Sequence, residues 1–336
     1  MIDKAICEEK AASMTEPAVH VDAYAPAEMA RRVETAGVTK GHLDTATLFV
    51  LAILAGAFIA LGANFATLVF TDNGLAYGLS RLIGGLAFSL GLILVIVGGA
   101  ELFTGNSLLV MAWASGKIST RCLLRNWMLA YVGNFLGALG TAVGVYLSQQ
   151  WMFDGYRVGG MALQIAHAKV GYAFLTALML GIFCNALVCM AVWLCFSART
   201  TADKILAIVP PITAFVAAGF EHSVANMYFI PLGLLLRQEP HVLAIAGKSL
   251  EQLADLTWWG FLTKNLLPVT LGNMIGGGVL VAGVYWFVYL RATRDNRGTL
   301  IWERLKSPWA RTRPAASGPT DTAGAIGGAE TLRREM

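Results

Sequence analysis

The chain has 336 residues, of which 56% are hydrophobic and 14% are charged, and its formal net charge is +4. Soluble domains carry about 25% charged residues, so this composition excludes a soluble protein and indicates an integral membrane protein in a lipid bilayer. The basic residues lie between apolar segments, so the net charge does not indicate nucleic-acid binding. The five cysteines show no CxxC or Cys/His spacing, so neither a metal centre nor another cofactor is predicted.

Residues 1–43 form a polar N-terminal segment, in which Ala25 to Lys40 has the pattern of a short amphipathic helix. We expect this helix on the membrane surface or across the cytoplasmic end of the membrane domain. No cleavable signal peptide is recognised, so the first apolar segment should act as the insertion signal.

Six apolar segments follow, and the second and fifth are the longest, at 33 and 32 residues. A spanning helix needs about 20 residues, so these two are tilted, extend beyond the bilayer or are broken. A break is favoured because each contains polar residues, and irregular backbone at membrane depth is satisfied only by protein or water. The segments are about Thr45–Phe70, Ser80–Ala112, Trp127–Gln149, Tyr172–Phe196, Ile205–Leu236 and Thr263–Leu290.

The polar residues of the two long segments follow one frame, Gly-x-Glu-x-x-x-x-Asn. It begins at Gly99 and again at Gly219, 120 residues later. The second copy holds a carboxylate, an imidazole, a hydroxyl and an amide. Ionisable groups inside a membrane are costly, so they are functional candidates by default. We therefore predict that segments two and five are interrupted near Thr104 and His222.

The remaining segments repeat as well. The Gly-x-Phe of segment one at Gly56 returns in segment four at Gly181, and the Gly-Asn-x-x-Gly of segment three at Gly133 returns in segment six at Gly272. These matches predict two repeats, at about 44–149 and 169–291, with three spans each. Because three is odd, the second repeat must be inverted in the membrane. Inverted repeats with broken helices are typical of transporters, whose pathway lies near the repeat interface.

The basic residues predict the orientation of the chain. Of the 25 Lys and Arg residues, 19 fall on the side of the two termini and six on the other side. The richer side is cytoplasmic, so both termini are predicted to lie in the cytoplasm. Residues 292–336 form a basic tail rich in Ala, Gly, Pro and Thr, which is predicted to be disordered and cytoplasmic.

Only one of the five histidines, His222, lies at bilayer depth. A lone membrane histidine is often a hydrogen-bonded packing residue. Three features favour a functional role instead: the expected helix break, the polar neighbours Glu221 and Asn226, and the frame from the other repeat that should face it. Glu101 and Glu221, with Asn226, are predicted to be structural, with each carboxylate accepting hydrogen bonds from backbone N–H groups freed at a break.

Other candidates leave two interpretations open. Thr104 either directs its hydroxyl into a pathway or caps a half-helix. Asn185 either packs against its neighbours or lines a pathway, and Lys169 alone would be an interfacial lysine. Three apolar residues are either ordinary core or apolar collars around the polar midpoint: Phe88, Leu92 and Phe215. Asn134 and Asn273 are expected to hold helices together.

At these residues the chain resembles the formate/nitrite transporter family, and within it the formate channels. The resemblance covers about Ala27 to Arg291. The stretches that carry it are Phe88–Leu94, Ala100–Thr104, Gly219–Met227, Ile230–Gly233 and Asn265–Asn273. Gly105 is instead similar to nitrite-channel members.

The resemblance implies an aquaporin-like protomer in a homopentamer of the inner membrane, with one pore per protomer. The substrates would be small monovalent anions, formate first, with nitrite or hydrosulfide as alternatives, and protons would be a further partner. It implies that His222 is the central pore histidine that binds or protonates the anion, and that Thr104 faces it. Leu92 and Phe215, with Phe88 alongside, would constrict the pore. The resemblance further implies that Lys169 and Asn185 draw the anion in.

Two other classes of function are disfavoured by the residues. In a membrane hydrolase His222 and Ser223 would have to form a base–nucleophile pair, but neighbours on a helix point about 100° apart. A haem-bearing anchor with two histidine ligands needs two membrane histidines. The chain is therefore predicted not to be an enzyme.

Overall fold

A computed structural model describes residues 23–291 of the chain. Every regular element within these residues is a helix, in agreement with the predicted all-helical class. Residues 1–22 and the predicted tail at 292–336 lie outside the described residues, so the predicted disorder of the tail stays a prediction.

Eleven helices, numbered in chain order, organise this part of the chain. They are α1 Pro26–Gly41, α2 Thr45–Phe70, α3 Tyr77–Gly98, α4 Val110–Ala114, α5 Thr120–Leu147, α6 Arg157–Val170, α7 Phe174–Cys195, α8 Thr201–Ala217, α9 Ser223–Leu236, α10 Pro240–Ala246 and α11 Trp258–Tyr289. Short 3-10 turns at Gly105–Leu109 and Gln150–Met152 precede α4 and α6. Two segments of α11 are π-helical, Phe261–Leu266 and Ile275–Gly283.

Five of these helices, α2, α3, α5, α7 and α11, are long and apolar enough to cross a lipid bilayer. A helix suits that environment because it satisfies its backbone hydrogen bonds internally. Their outward faces carry exposed apolar side chains such as Val50, Leu136 and Val279, which suit contact with lipid tails. The chain is therefore a multi-pass membrane protein.

The two predicted interruptions are present, and both follow a glycine in left-handed backbone. α3 ends before Gly99, at φ 78°, and α8 ends before Gly219, at φ 75°. In each case the next N–H bonds to a carbonyl five residues back, with N···O distances of 2.9 Å at Ala100 and 3.0 Å at Phe220. Positive φ is a conformation that glycine adopts without steric cost, which explains why the frame begins with glycine.

Small residues allow the long helices to pack closely in pairs. A Cβ atom on Gly137 of α5 would collide with the carbonyl oxygen of Ile53 in α2, and one on Gly276 of α11 would collide with that of Ile182 in α7. Close contact through small residues is the usual way that helices associate in lipid. The third sequence match between the halves therefore marks two equivalent helix contacts.

The structure corrects several predicted boundaries. α5 begins at Thr120 and not near Trp127, because Ser119 caps the helix by accepting a hydrogen bond from the Cys122 N–H, at an N···O distance of 3.2 Å. Two helices in connecting regions, α6 and α10, were not predicted. α6 has only 14 residues and buries one face, including Leu163, so it is too short and too polar to read as a span. Its absence from the sequence prediction matters because it carries Lys169.

Candidate transport site

A row of cavities follows α3 from its first turns to its last. The cavity nearest α6, called the α6-side cavity, has a volume of about 150 Å³ and is lined by Lys169 of α6 and by Arg81 and Phe88 of α3. A central cavity of about 10 Å³ is lined by Phe88 and Leu92. Two α1-side cavities, of about 40 and 360 Å³, are both lined by Val95 and Ile96. An α-helix rises 1.5 Å per residue, so these residues span about 22 Å along α3.

Apolar side chains separate the three levels of this row. Phe88 and Phe215 line both the α6-side and the central cavity, and their rings meet edge to face with centroids 5.4 Å apart. Leu92 and Leu102 line both the central cavity and the smaller α1-side cavity. All four side chains are buried. The structure thus places the three predicted constriction residues between cavities and adds Leu102 to them.

The two helix breaks bring Thr104 and His222 together, although they lie 118 positions apart. The Thr104 Oγ1 and His222 Nε2 atoms are 2.9 Å apart in a buried hydrogen bond. Each residue occupies the N-cap position of the helix that resumes after its break. His222 lines both the central and the α6-side cavity, so the polar pair lies at the midpoint of the row.

The capping role of His222 fixes the tautomer of its neutral ring. The Ala225 backbone N–H donates to His222 Nδ1 across 3.1 Å. A backbone N–H can only donate, so Nδ1 must be the unprotonated acceptor and Nε2 carries the proton. Nε2–H therefore donates to Thr104 Oγ1, which leaves the Thr104 hydroxyl hydrogen free to point elsewhere. The positive end of the α9 dipole also disfavours a second proton on the ring.

A polar network joins α1 to the first break. Lys40 Nζ donates to Glu101 Oε1 at 2.8 Å, and Asn106 Nδ2 donates to Glu101 Oε2 at 2.9 Å. Asn106 Nδ2 also donates to Asn126 Oδ1, and Asn126 Nδ2 donates to the Lys40 carbonyl. Finally, Lys40 Nζ reaches Asn106 Oδ1 at 3.3 Å, so every one of these side chains is engaged.

The same network recurs between α6 and the second break. Lys169 Nζ donates to Glu221 Oε1 at 2.8 Å, and Asn226 Nδ2 donates to Glu221 Oε2 and to Asn265 Oδ1, both at 2.7 Å. Asn265 Nδ2 donates to the Lys169 carbonyl. Two contacts differ between the copies. Asn265 Nδ2 also donates to Glu221 Oε2 at 3.1 Å, a bond that Asn126 does not make to Glu101. Within residues 23–291, the Oδ1 of Asn226 is buried without a hydrogen-bond partner, although its residue lines the α6-side cavity.

Two asparagines, and not the two carboxylates, satisfy the backbone at the breaks. Asn134 Oδ1 accepts from the Phe103 N–H and Asn273 Oδ1 accepts from the Ser223 N–H. Their Nδ2 groups each donate to the carbonyl of the frame glutamate and to one carbonyl of a neighbouring helix. The prediction that Glu101 and Glu221 accept from freed N–H groups was wrong, because lysine and asparagine side chains occupy both carboxylates.

Asn185 packs against residues 99–104, the segment between α3 and the following 3-10 turn, which we call the Thr104 loop. It is fully buried, and its Nδ2 donates to the carbonyls of Thr104 and Asn273 and to Ser107 Oγ, at 3.2, 2.7 and 3.2 Å. The Cys189 thiol also donates to the Thr104 carbonyl, across 3.3 Å. This packing position is one of the two interpretations that the sequence left open. Lys169, in contrast, lines the α6-side cavity, and its side chain is 13% exposed.

Sequence reasoning missed Lys40, Leu102 and the asparagine pair Asn126 and Asn265. Lys40 lies in the last turn of α1 and Lys169 in the last turn of α6. Had both short helices been recognised in the sequence, the equivalent positions of these lysines would have pointed to Lys40. Leu102 occupies the frame position that His222 occupies 120 residues later, and both residues line the central cavity.

The comparisons with known proteins bear on this arrangement directly. The sequence profile of the formate/nitrite transporter family matches residues 27–287, from α1 to the end of α11, and so covers every residue of the two networks. The chain belongs to the formate/nitrite transporter family. Membership in this family places it among transport proteins and not among enzymes.

Relatives within the formate/nitrite transporter family match over nearly their whole length. The chain is 44% identical over 273 residues to the formate channel FocA of Escherichia coli K12, covering 80% of this chain and 96% of that protein. It is 40% identical to FocA of Haemophilus influenzae, covering 78% and 93%. A solved structure of a pentameric formate channel with formate bound is 44% identical, with a TM-score of 0.69, and covers 74% of this chain and 98% of that one.

Proposed function

We propose that this protein is a membrane channel for small monovalent anions, with formate as its main substrate. The observation that carries the proposal is the buried Thr104–His222 pair at the midpoint of a row of cavities. The identity of the anion is supported by the relatives, which are formate channels by name, and by the related structure with formate bound.

The proposed pathway runs along α3. An anion enters the α6-side cavity, passes between the rings of Phe88 and Phe215, and meets His222 in the central cavity. It leaves between Leu92 and Leu102 toward the α1-side cavities, or makes the journey in reverse. The central cavity, at about 10 Å³, is closed in this structure, so side chains at the constrictions must move before an anion passes.

The Thr104–His222 pair can replace the hydrogen bonds that an anion loses when it leaves water. A bare carboxylate in an apolar constriction costs many kcal/mol unless a donor compensates it. The Thr104 O–H hydrogen is free to donate to the anion, whereas His222 Nε2–H, which donates to Thr104 Oγ1, must leave that bond to donate to the anion itself. The α9 helix directs its positive dipole end to the same point. Proton transfer from the ring to formate would need a proton on His222 Nδ1 as well, and hence loss of the bond from the Ala225 N–H. The geometry favours a neutral donor over a proton carrier.

The other predicted residues have supporting roles in this proposal. Lys169 faces the α6-side cavity and adds positive potential there, although Glu221 partly neutralises it. Glu101 keeps the Thr104 loop in place, and Asn226 does the same for the start of α9. Asn185 holds the Thr104 carbonyl and thereby directs the hydroxyl toward His222.

We further propose six spans in two inverted repeats, as in an aquaporin-like protomer. The helices on either side of each break would together form one span, α3 with α4 and α8 with α9, and α2, α5, α7 and α11 complete the six. The matched networks support the repeats, and we propose that each repeat begins earlier in the chain than predicted, at α1 and at α6. The basic-residue count supports cytoplasmic termini in an inner membrane, and the pentameric relative supports a homopentamer.

Flux through proteoliposomes tests the proposal. Purified protein should take up formate saturably, faster than nitrite or hydrosulfide, at both pH 5.5 and pH 7.5. Removal of a buried donor costs about 1.5–3 kcal/mol for a charged partner, so His222→Leu should slow formate flux by about tenfold or more. His241→Asn is the control, because His241 is exposed and stacks on Tyr156 outside the row of cavities.

The variant His222→Asn separates the two possible roles of the ring, since it keeps a donor and loses the titrating group. A donor role predicts reduced flux with the wild-type pH profile, whereas proton transfer predicts an altered profile. Wild-type protein that assembles in liposomes without formate uptake would contradict the proposed function. Full flux in His222→Leu would remove His222 from it.

A further inference from the structure

Arg81 lies in the second turn of α3, at the mouth of the α6-side cavity, where it meets the end of α8. Its Nε donates to the Ala217 carbonyl at 3.3 Å, and its Nη2 donates to the Val216 carbonyl. These carbonyls belong to the last turn of α8, which forms the negative end of the helix dipole, and the Val216 carbonyl also accepts from the Gly219 N–H at 3.1 Å. An uncompensated end at this position would repel an anion. The guanidinium offsets its partial negative charge, about half an elementary charge, and keeps a net positive charge.

The charges that line the α6-side cavity do not balance. Arg81, Lys169 and Glu221 are its charged lining residues, and His222 and Tyr172 are its other titratable ones. Lys169 and Glu221 form an ion pair at 2.8 Å. Within residues 23–291, no carboxylate lies within ion-pair distance of Arg81. The cavity therefore has one positive charge that no acidic side chain neutralises.

The guanidinium of Arg81 also has donors to spare. It carries five N–H groups in a planar fork, and two of them contact the α8 carbonyls. The ring of Phe70 lies beneath the guanidinium, with its centroid 5.1 Å from Cζ, so the group is held in a fixed orientation. A fixed planar fork matches the two oxygens of a carboxylate or of nitrite.

We propose that Arg81 forms an anion-binding site at the mouth of the α6-side cavity, where a small monovalent anion with two oxygens is held before it reaches Phe88 and Phe215. The proposal rests on the proposed function for the choice of formate as the anion. Arg81 thus sets the concentration at which the cavity fills from that side, whereas His222 governs passage through the midpoint.

A binding measurement tests this site without transport. Full-length protein in detergent is unfolded by heat at rising sodium formate, with sodium gluconate keeping ionic strength constant. Wild type should be stabilised saturably, and Arg81→Gln should need about fivefold more formate for half of the effect. Arg81→Lys, which keeps the charge but loses the planar fork, should fall between wild type and Arg81→Gln. The matched control is Arg157→Gln, which removes an exposed arginine paired with Asp72 and Asp154 and should leave the curve unchanged.

The wild-type protein provides a second measurement if Arg81→Gln does not assemble. Phenylglyoxal modifies accessible arginines, and formate should slow its reaction at Arg81, read by mass spectrometry, but not at Arg157. Equal half-saturation in wild type and Arg81→Gln, no saturable stabilisation by formate, or no protection of Arg81 would each overturn the site. Formate binding without formate flux would instead overturn the proposed function and leave the site standing.

Discussion

Asn273 holds the second helix break together through three buried hydrogen bonds. Its Nδ2 donates to the carbonyls of Gly181 and Glu221 at 2.8 and 3.0 Å, and its Oδ1 accepts from the Ser223 N–H at 2.9 Å. Interhelical hydrogen bonds in membranes contribute about 0.6 kcal/mol on average and up to about 1.7 kcal/mol. Asn273→Ala should therefore lower the free energy of unfolding by about 2–5 kcal/mol. The bond to the Ser223 N–H lies next to His222, so formate flux should fall as well.

The assay is unfolding by sodium dodecyl sulfate in mixed micelles, followed by tryptophan fluorescence. Asn134→Ala, which removes the equivalent three bonds at the first break, should destabilise by the same amount. Asn64→Ala is the control, because its Oδ1 accepts one bond, from the Tyr228 hydroxyl, and it should cost no more than about 1.7 kcal/mol. If Asn273→Ala unfolds with the same free energy as Asn64→Ala, the carbonyls at the break have other partners and the reasoning fails.

Three further outcomes are expected. Lys169→Met should lower the unfolding free energy by about 3 kcal/mol because it leaves the buried Glu221 carboxylate without its cation. Lys40→Met should cost less, because Lys40 is 34% exposed against 13% for Lys169, so solvent screens its pair with Glu101 more strongly. Equal losses in the same micelle assay would contradict this order. The hydrogen bonds from Thr47 lower the pKa of the Asp44 carboxyl, so Asp44→Ala should reduce the melting temperature above pH 4 and lose that effect as pH falls below the folded pKa. The control is Asp44→Asn, which keeps a capping oxygen. A difference between wild type and Asp44→Ala that does not change with pH would contradict this prediction. Leu92→Ala and Phe215→Ala should each raise the flux of acetate relative to formate in proteoliposomes, and unchanged ratios in both variants would remove these residues from the constriction.

The two polar frames could be found in the sequence because they violate the composition around them. Carboxylates, amides and a histidine inside apolar segments are conspicuous, and glycine at the head of each frame marks the left-handed turn that ends the helix. The pairing of Thr104 with His222 came from the family resemblance and not from the frames, which align His222 with Leu102. The helix breaks and five long helices were thus accessible from local patterns.

The partners of the two carboxylates were not accessible in this way. Lys40 and Glu101 are 61 positions apart, and Lys169 and Glu221 are 52 apart, so no local spacing joins them. Their contact depends on α1 and α6, which are short and only half buried. An amphipathic helix of 14–16 residues contributes little to a hydropathy profile, and α6 was missed for that reason. The true occupants of the carboxylates followed only from the packing of those helices.

The repeated scaffold explains how a nearly symmetric framework holds a single polar midpoint. Both networks fix a glutamate, and the residue after each glutamate faces the central cavity: Leu102 in the first copy and His222 in the second. A second imidazole there would add a further donor and strengthen binding of the anion, whereas leucine in both positions would leave only the Thr104 hydroxyl. Conduction needs binding that is favourable enough for entry and weak enough for release. One histidine, helped by one threonine from the opposite loop, meets both conditions because the other half of the framework stays apolar.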